Sequence, residues 1–152
     1  MKQKILTLFL ALAASVGTMF AEVVKIGDLY YDLDVASKNA YVVPNPNGKY
    51  SGNIIIPPTV EDNNSIVYNV KNILEGAFMD CTELTGVTIP NSVTTIFGMA
   101  FQNCTSLTNI IIPEGVTYIS FQVFEKCSGL TSVTLPKSLT SIDSSHSINA
   151  QA

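Results

Sequence analysis

The chain has 152 residues, 47% of them apolar and only 13% charged, with no arginine and no tryptophan. That is a one-domain length with enough apolar material to bury a core. A formal charge of −4 excludes nucleic acid, which needs phosphate-neutralising cations, and disfavours anionic membrane surfaces as partners.

The N-terminus has the pattern of a secretory signal. Lys2 and Lys4 supply a positive start, Ile5 to Val16 form an apolar run, and Ser15 and Gly17 begin a small-residue region. The run is shorter than the roughly 20 residues of a membrane-spanning helix, so a signal peptide over 1–21 is expected, with no transmembrane segment after its removal. Cleavage is placed after Ala21, with Gly17 as the alternative. Loss of Lys2 and Lys4 leaves six lysines against twelve acids, a formal charge of −6.

Residues 22–50 are expected to form a β-rich N-terminal cap. Two strand candidates lie around Leu29 to Val35 and Ala40 to Val43, separated by Ser37-Lys38-Asn39. Such a cap would cover apolar side chains and unpaired backbone at the start of a repeat stack. Asp28, Asp32 and Asp34 are too few for a calcium loop and fit alternation along a solvent-facing strand. Five of the six tyrosines precede the first repeat cysteine: Tyr30, Tyr31, Tyr41, Tyr50 and Tyr68. Tyrosine serves interfaces and equally covers small sheets.

Residues 51–142 carry an internal repeat. Cys81, Cys104 and Cys127 are spaced by 23, and so are Leu84, Leu107 and Leu130; Pro90, Pro113 and Pro136; Ile96, Ile119 and Ile142; and Phe78, Phe101 and Phe124. Within each unit the pattern L-x-x-V/I-x-I/L-P recurs. Its alternating end is strand-like, and proline ends the strand because it lacks the ladder donor. Val93 and Ile96 follow, three apart, and then Ala100-Phe101, a candidate for one short helical turn. A single unit cannot bury its apolar face, whereas stacked units with parallel strands about 4.8 Å apart can. The first unit is divergent. Ile54, Ile56 and Pro57 match the strand ending, and Val70, Ile73, Ala77 and Phe78 match the latter half. About seven additional residues between them, a polar Asp62-Asn63-Asn64-Ser65 turn between apolar stretches, predict a hairpin insertion near 61–69. Residues 143–152 form a C-terminal tail in which the expected Ala-Phe is replaced by His146 and Ser147.

The units Cys81-Thr82-Glu83-Leu84-Thr85-Gly86-Val87-Thr88-Ile89-Pro90-Asn91-Ser92-Val93 and Cys104-Thr105-Ser106-Leu107-Thr108-Asn109-Ile110-Ile111-Ile112-Pro113-Glu114-Gly115-Val116 resemble the BspA-like leucine-rich repeats of bacterial surface proteins. The resemblance runs from about Ile54 to Ile142. It implies one parallel strand per repeat in a curved solenoid, secretion or surface display, and roles in binding and adhesion. The family often has glycine after the repeat isoleucine, where this chain has Leu74, Phe97 and Ser120. The expected fold class is therefore α/β, a leucine-rich-repeat solenoid with one short parallel strand per 23-residue repeat behind the β-rich cap.

Little points to chemistry. Three cysteines in one repeat column fit a buried apolar ladder better than a metal site, which needs clustered ligands at short spacing. His146 has no matching nucleophile pattern. Two matches to the N-glycosylation sequon, at Asn63 and Asn103, carry little meaning in the bacterial setting that the resemblance implies. No acid–base pair or activated nucleophile emerges, so no catalysis, cofactor or metal is expected. The candidate binding surface is the outward side of the repeat strands, with Thr88, Asn109, Ile111, Ser132 and Thr134, together with Tyr30, Tyr31 and Tyr41. The expected function is a noncatalytic interaction or adhesion module for an extracellular protein or glycan. The alternative is a structural spacer or truncated paralogue without a ligand.

Overall fold

A computed structural model of the chain describes residues 23–143. The expected signal peptide, Glu22, His146 and the rest of the tail beyond Asp143 lie outside the described residues. The first strands are β1 (Val23–Ile26), β2 (Leu29–Asp34), β3 (Asn39–Val43), β4 (Gly52–Ile55), β5 (Thr59–Glu61) and β6 (Val67–Ile73). The regular repeats contribute β7 (Leu84–Thr88), β8 (Thr95–Ile96), β9 (Asn109–Ile111), β10 (Tyr118–Ile119), β11 (Ser132–Thr134) and β12 (Ser141–Ile142).

The entry region is an antiparallel β1–β2–β3 meander. Gly27, at φ 61°, makes the first turn in a conformation that costs side-chain-bearing residues strain. Asp34 closes the second turn. Its carboxylate accepts the Ala36 and Ser37 amides at 3.0 and 3.1 Å and the Ser37 hydroxyl at 2.6 Å. The Ser37 bonds hold Asp34 below the usual carboxylate range. The other edge of β3 pairs in parallel with β6, so the meander is hydrogen-bonded directly to the repeats. Strands β5 and β6 form an antiparallel hairpin. Asp62 organises its tip, accepting the Asn64 and Ile66 amides at 2.8 and 2.9 Å and the Tyr68 hydroxyl at 3.2 Å.

Each regular repeat forms two short strands, not the one expected. One series stacks β4 with β7, β7 beside β9, and β9 with β11. The second runs β6–β8–β10–β12, parallel throughout. The α/β class is also corrected, because the described residues contain no helix. The third side, where a helical turn was expected, is a run of tight turns. Ala77, Met79 and Cys81 donate their amides three residues back, to Leu74, Gly76 and Phe78. The alternate amides of Gly76, Phe78 and Asp80 reach instead to Gly98, Ala100 and Gln102 of the next repeat, at 3.0, 2.7 and 2.9 Å. A helix would use every one of these amides within its own turn. Here half are diverted into an inter-repeat ladder.

Left-handed residues in two columns allow this alternation: Gly76, Met99 and Gln122, then Asp80, Asn103 and Lys126, with φ between 52° and 63°. The glycine-like position thus falls two residues beyond Leu74, Phe97 and Ser120. Only Gly76 occupies it without steric cost. On the second strand series a threonine column adds side-chain bonds. Thr117 Oγ1 donates to the Thr94 carbonyl at 3.4 Å and Thr140 Oγ1 to that of Thr117 at 2.9 Å.

The core lies inside these three sides. Phe78, Phe101 and Phe124 stack with ring centroids 5.1 and 5.7 Å apart, and Tyr50 closes the column 5.0 Å from Phe78. Cys81, Cys104 and Cys127 are free and buried. The thiol of Cys104 donates to the Phe78 carbonyl at 3.1 Å and that of Cys127 to the Phe101 carbonyl at 2.9 Å. The column therefore needs a small apolar group that also carries a donor, which cysteine supplies.

Ionising Cys81, Cys104 or Tyr50 opposes folding, whereas the hydrogen bond from Cys104 shifts the Cys127 thiol down. Burial pushes the Cys81 thiol up, the adjoining Cys127 thiol and burial push Cys104 up, and burial raises Tyr50 to about 12. A raised folded-state value means that stability is fully present below the unfolded pKa and lost as pH rises above it. The denaturation midpoint is therefore expected to hold steady near neutrality and to fall from about pH 9 towards pH 12. Native thiols are expected to resist alkylation at neutral pH and to label on unfolding. A midpoint flat across the alkaline range, together with rapid native labelling, would place these groups at the surface.

Candidate binding surface

Strand alternation decides which residues of the first series face outward. Ile54, Leu84, Val87, Ile110 and Leu107 point into the core, while their neighbours point to solvent. In β7 this exposes Thr88, in β9 Asn109 and Ile111, and in β11 Ser132 and Thr134. Register brings them into columns. Asn109 lies opposite Ser132 and Ile111 opposite Thr134.

The divergent unit extends the same surface. Strand β4 pairs with β7 so that Asn53 lies opposite Gly86 and Ile55 opposite Thr88. The Asn53 side chain occupies the space above Gly86, where a β-carbon would come within 2.6 Å of its Oδ1. Asn53 and Ile55 were absent from the sequence-derived set. The match of Ile54, Ile56 and Pro57 to the strand ending, combined with alternation, identifies them. The completed surface has one column of Ile55, Thr88, Ile111 and Thr134 and another of Asn53, Gly86, Asn109 and Ser132. None of these residues is charged. Ile55 and Ile111 are 67% and 66% exposed, unusual for isoleucine in a folded domain.

The tyrosine group divides. Tyr30 and Tyr31 are adjacent on β2 and so face opposite ways. Tyr31 is wholly buried and belongs to the core, a correction to its place among the surface candidates. Its hydroxyl has no hydrogen-bond partner among the described residues, and burial raises its pKa. Tyr50 and Tyr68 are buried as well. The Tyr50 hydroxyl donates to the Val43 carbonyl at 2.9 Å and accepts the Tyr30 amide at 3.0 Å. Tyr30 and Tyr41 remain half-exposed. The Tyr30 hydroxyl accepts a bond from Asn47 Nδ2 at 2.7 Å, and the Lys25 ammonium lies 5.9 Å from its ring centroid. Among the described residues no group of three or more histidine, cysteine or carboxylate side chains is arranged to hold a metal ion, and no helix is long and apolar enough to cross a membrane.

Comparison with known proteins agrees with the leucine-rich-repeat fold. A leucine-rich-repeat protein from Bacteroides capillosus is 31% identical, with a TM-score of 0.72 over 81% of this chain and 88% of that one. One from Bacteroides ovatus is 30% identical, with a TM-score of 0.68 over 79% of this chain and 31% of that one. A leucine-rich cell surface protein from Faecalibacterium prausnitzii is 25% identical, with a TM-score of 0.50 over 85% of this chain and 46% of that one. No curated protein matches. The model of the BspA-type leucine-rich repeat region matches residues 61–150, more than half of the sequence, and the chain belongs to that family.

Proposed function

We propose that the chain is a noncatalytic interaction module, secreted or held at the cell surface, that binds an extracellular protein or glycan through its strand face. The observation that carries this reading is the uncharged plane built by β4, β7, β9 and β11, with Ile55 and Ile111 about two-thirds exposed upon it. Exposed apolar side chains brought together on one flat side are a frequent feature of interaction sites. Four stacked strands let weak contacts be summed across repeats. The secretory pattern of the N-terminus and the surface location named for the Faecalibacterium protein support an extracellular setting.

With no charge on the face, recognition rests on shape, apolar contact and hydrogen bonds, and affinity is expected to change little with salt. The area is small, so a single copy is expected to bind weakly and multimers better. The test is a binding screen of the mature chain, arrayed as a multimer, against extracellular-matrix proteins and glycans. A triple variant, Thr88→Lys, Ile111→Lys and Thr134→Lys, is expected to lose binding by at least about tenfold, or roughly 1.4 kcal/mol. A second variant, Tyr30→Ser with Tyr41→Ser, examines the entry sheet. If both remain folded and bind as well as the parent, both surfaces are wrong.

The spacer reading has one observation in its favour. Leu135 and Ile142 are 41% and 39% exposed, whereas their equivalents Ile112 and Ile119 are each 2% exposed. A further stacked unit would cover them. That reading requires a multimer that binds nothing in the screen.

A further inference from the structure

Asn47 and Gly48 make the chain's only Asn-Gly pair, and they lie in the exposed connection between β3 and β4. Three features of this turn favour attack of the Gly48 amide nitrogen on the Asn47 side chain. Glycine places no β-carbon beside its own nitrogen. Space around Gly48 is open, since a β-carbon built there would meet nothing within 4 Å. Its N–H is held only by a long 3.4 Å contact to the Asn45 carbonyl.

Most other asparagines among the described residues are protected. Asn45 is followed by Pro46, which has no N–H. Asn39, Asn53, Asn69, Asn72 and Asn109 lie in strands. At the hairpin tip the attacking amides are already engaged, that of Asn64 with Asp62 Oδ1 at 2.8 Å and that of Ser65 with the Asp62 carbonyl at 3.1 Å. The amide that would attack Asn103 belongs to Cys104 and donates to the Phe101 carbonyl at 3.2 Å.

We propose that Asn47 is a site of spontaneous deamidation that recharges the tyrosine-bearing edge of the entry sheet. The Gly48 nitrogen bonds to Asn47 Cγ as the Cγ–Nδ2 bond breaks. Ammonia leaves with the amide proton of Gly48, and a five-membered imide remains. Water, the only co-reactant, opens either imide carbonyl to give aspartate or isoaspartate. No electrons are transferred.

The local consequence follows from one hydrogen bond. Asn47 Nδ2 donates to the Tyr30 hydroxyl at 2.7 Å, which leaves the proton of that hydroxyl free for another acceptor. The carboxylate formed at position 47 has acceptors only, so the Tyr30 proton turns inward to meet it. Tyr30 then loses its outward donor beside a new negative charge. The effect on binding rests on the reading of Tyr30 as a contact residue; the modification itself does not.

The test ages the full chain at mildly alkaline pH and maps its peptides by mass spectrometry and isoaspartate assay. The amide-to-acid mass gain and isoaspartate are expected in the Asn47 peptide, ahead of every other asparagine peptide. Asn47→Gln is expected to abolish the signal without disturbing the turn, and Gly48→Ala to slow it. A folded chain whose Asn47 peptide stays unchanged while the same peptide converts in denaturant overturns the proposal. So does conversion of Asn63, Asn64 or Asn103 at an equal rate.

Discussion

Phe101→Ala is expected to lower the stability of the fold by about 3–5 kcal/mol, the range for truncating a buried aromatic side chain. Phe101 has no solvent exposure. It stacks on Phe78 at 5.1 Å with an interplanar angle of 2° and on Phe124 at 5.7 Å and 10°. Its removal opens a void between two repeats and ends both ring contacts. The backbone there has little freedom to collapse into the void, because the Phe101 amide bonds the Val123 carbonyl at 3.0 Å while Phe78 donates to the Ala100 carbonyl at 2.7 Å. Truncating the part-exposed Phe97 serves as the control and is expected to cost far less. Denaturant midpoints of the two variants decide the matter. A Phe101→Ala midpoint near the parent value would show that the column adds little to the fold.

How much of this was legible in the sequence depended on whether neighbouring repeats share a residue type. The Phe, Cys, Leu and Pro columns repeat identically and identify the stack directly. The tight turns on the third side were hidden. Their left-handed positions hold Gly76, Met99 and Gln122 in one column and Asp80, Asn103 and Lys126 in the other; Gly76 advertises such a conformation strongly, Asp80 and Asn103 only weakly, and the rest not at all. With that signal missing, Ala100-Phe101 resembled a helical turn. The second strand series was hidden for a different reason. Its strands are two residues long in the regular repeats, too short for any periodicity to register. On the binding face the three regular strands supplied Thr88, Asn109, Ile111, Ser132 and Thr134. Divergence of the first unit concealed Asn53 and Ile55, although alternation applies to them equally. Alternation also separates Tyr30 from Tyr31, since neighbours on a strand point to opposite faces and one face of β2 lies on the core.

Gly115→Ala tests how closely the repeats are stacked. A β-carbon built at Gly115 would lie 1.9 Å from the Asn91 carbonyl oxygen and 2.8 Å from that of Val93. Both obstacles are backbone atoms of the preceding repeat, so no side-chain rotation relieves the clash, and one repeat has to move against the other. The same column holds Ser92 and Ser138 in the flanking repeats, so the position does not exclude a side chain everywhere. Ser138 is accommodated with its hydroxyl donating to the Val116 carbonyl at 3.0 Å and its amide to a Glu114 carboxylate oxygen at 3.2 Å. Its repeat is the last of the described stack. The Gly115 repeat is held on both sides, by the Thr117 amide on the Thr94 carbonyl at 2.9 Å and the Thr140 amide on the Thr117 carbonyl at 3.0 Å. Relieving the clash therefore disturbs ladders on both sides, and a loss of about 1–3 kcal/mol is expected, as for other overpacked sites. Chemical denaturation measures it, with Ser138→Ala as a companion that removes a hydrogen bond without adding bulk. A Gly115→Ala variant as stable as the parent would mean that the repeats slide apart freely at this level, and that close stacking there contributes nothing to the fold.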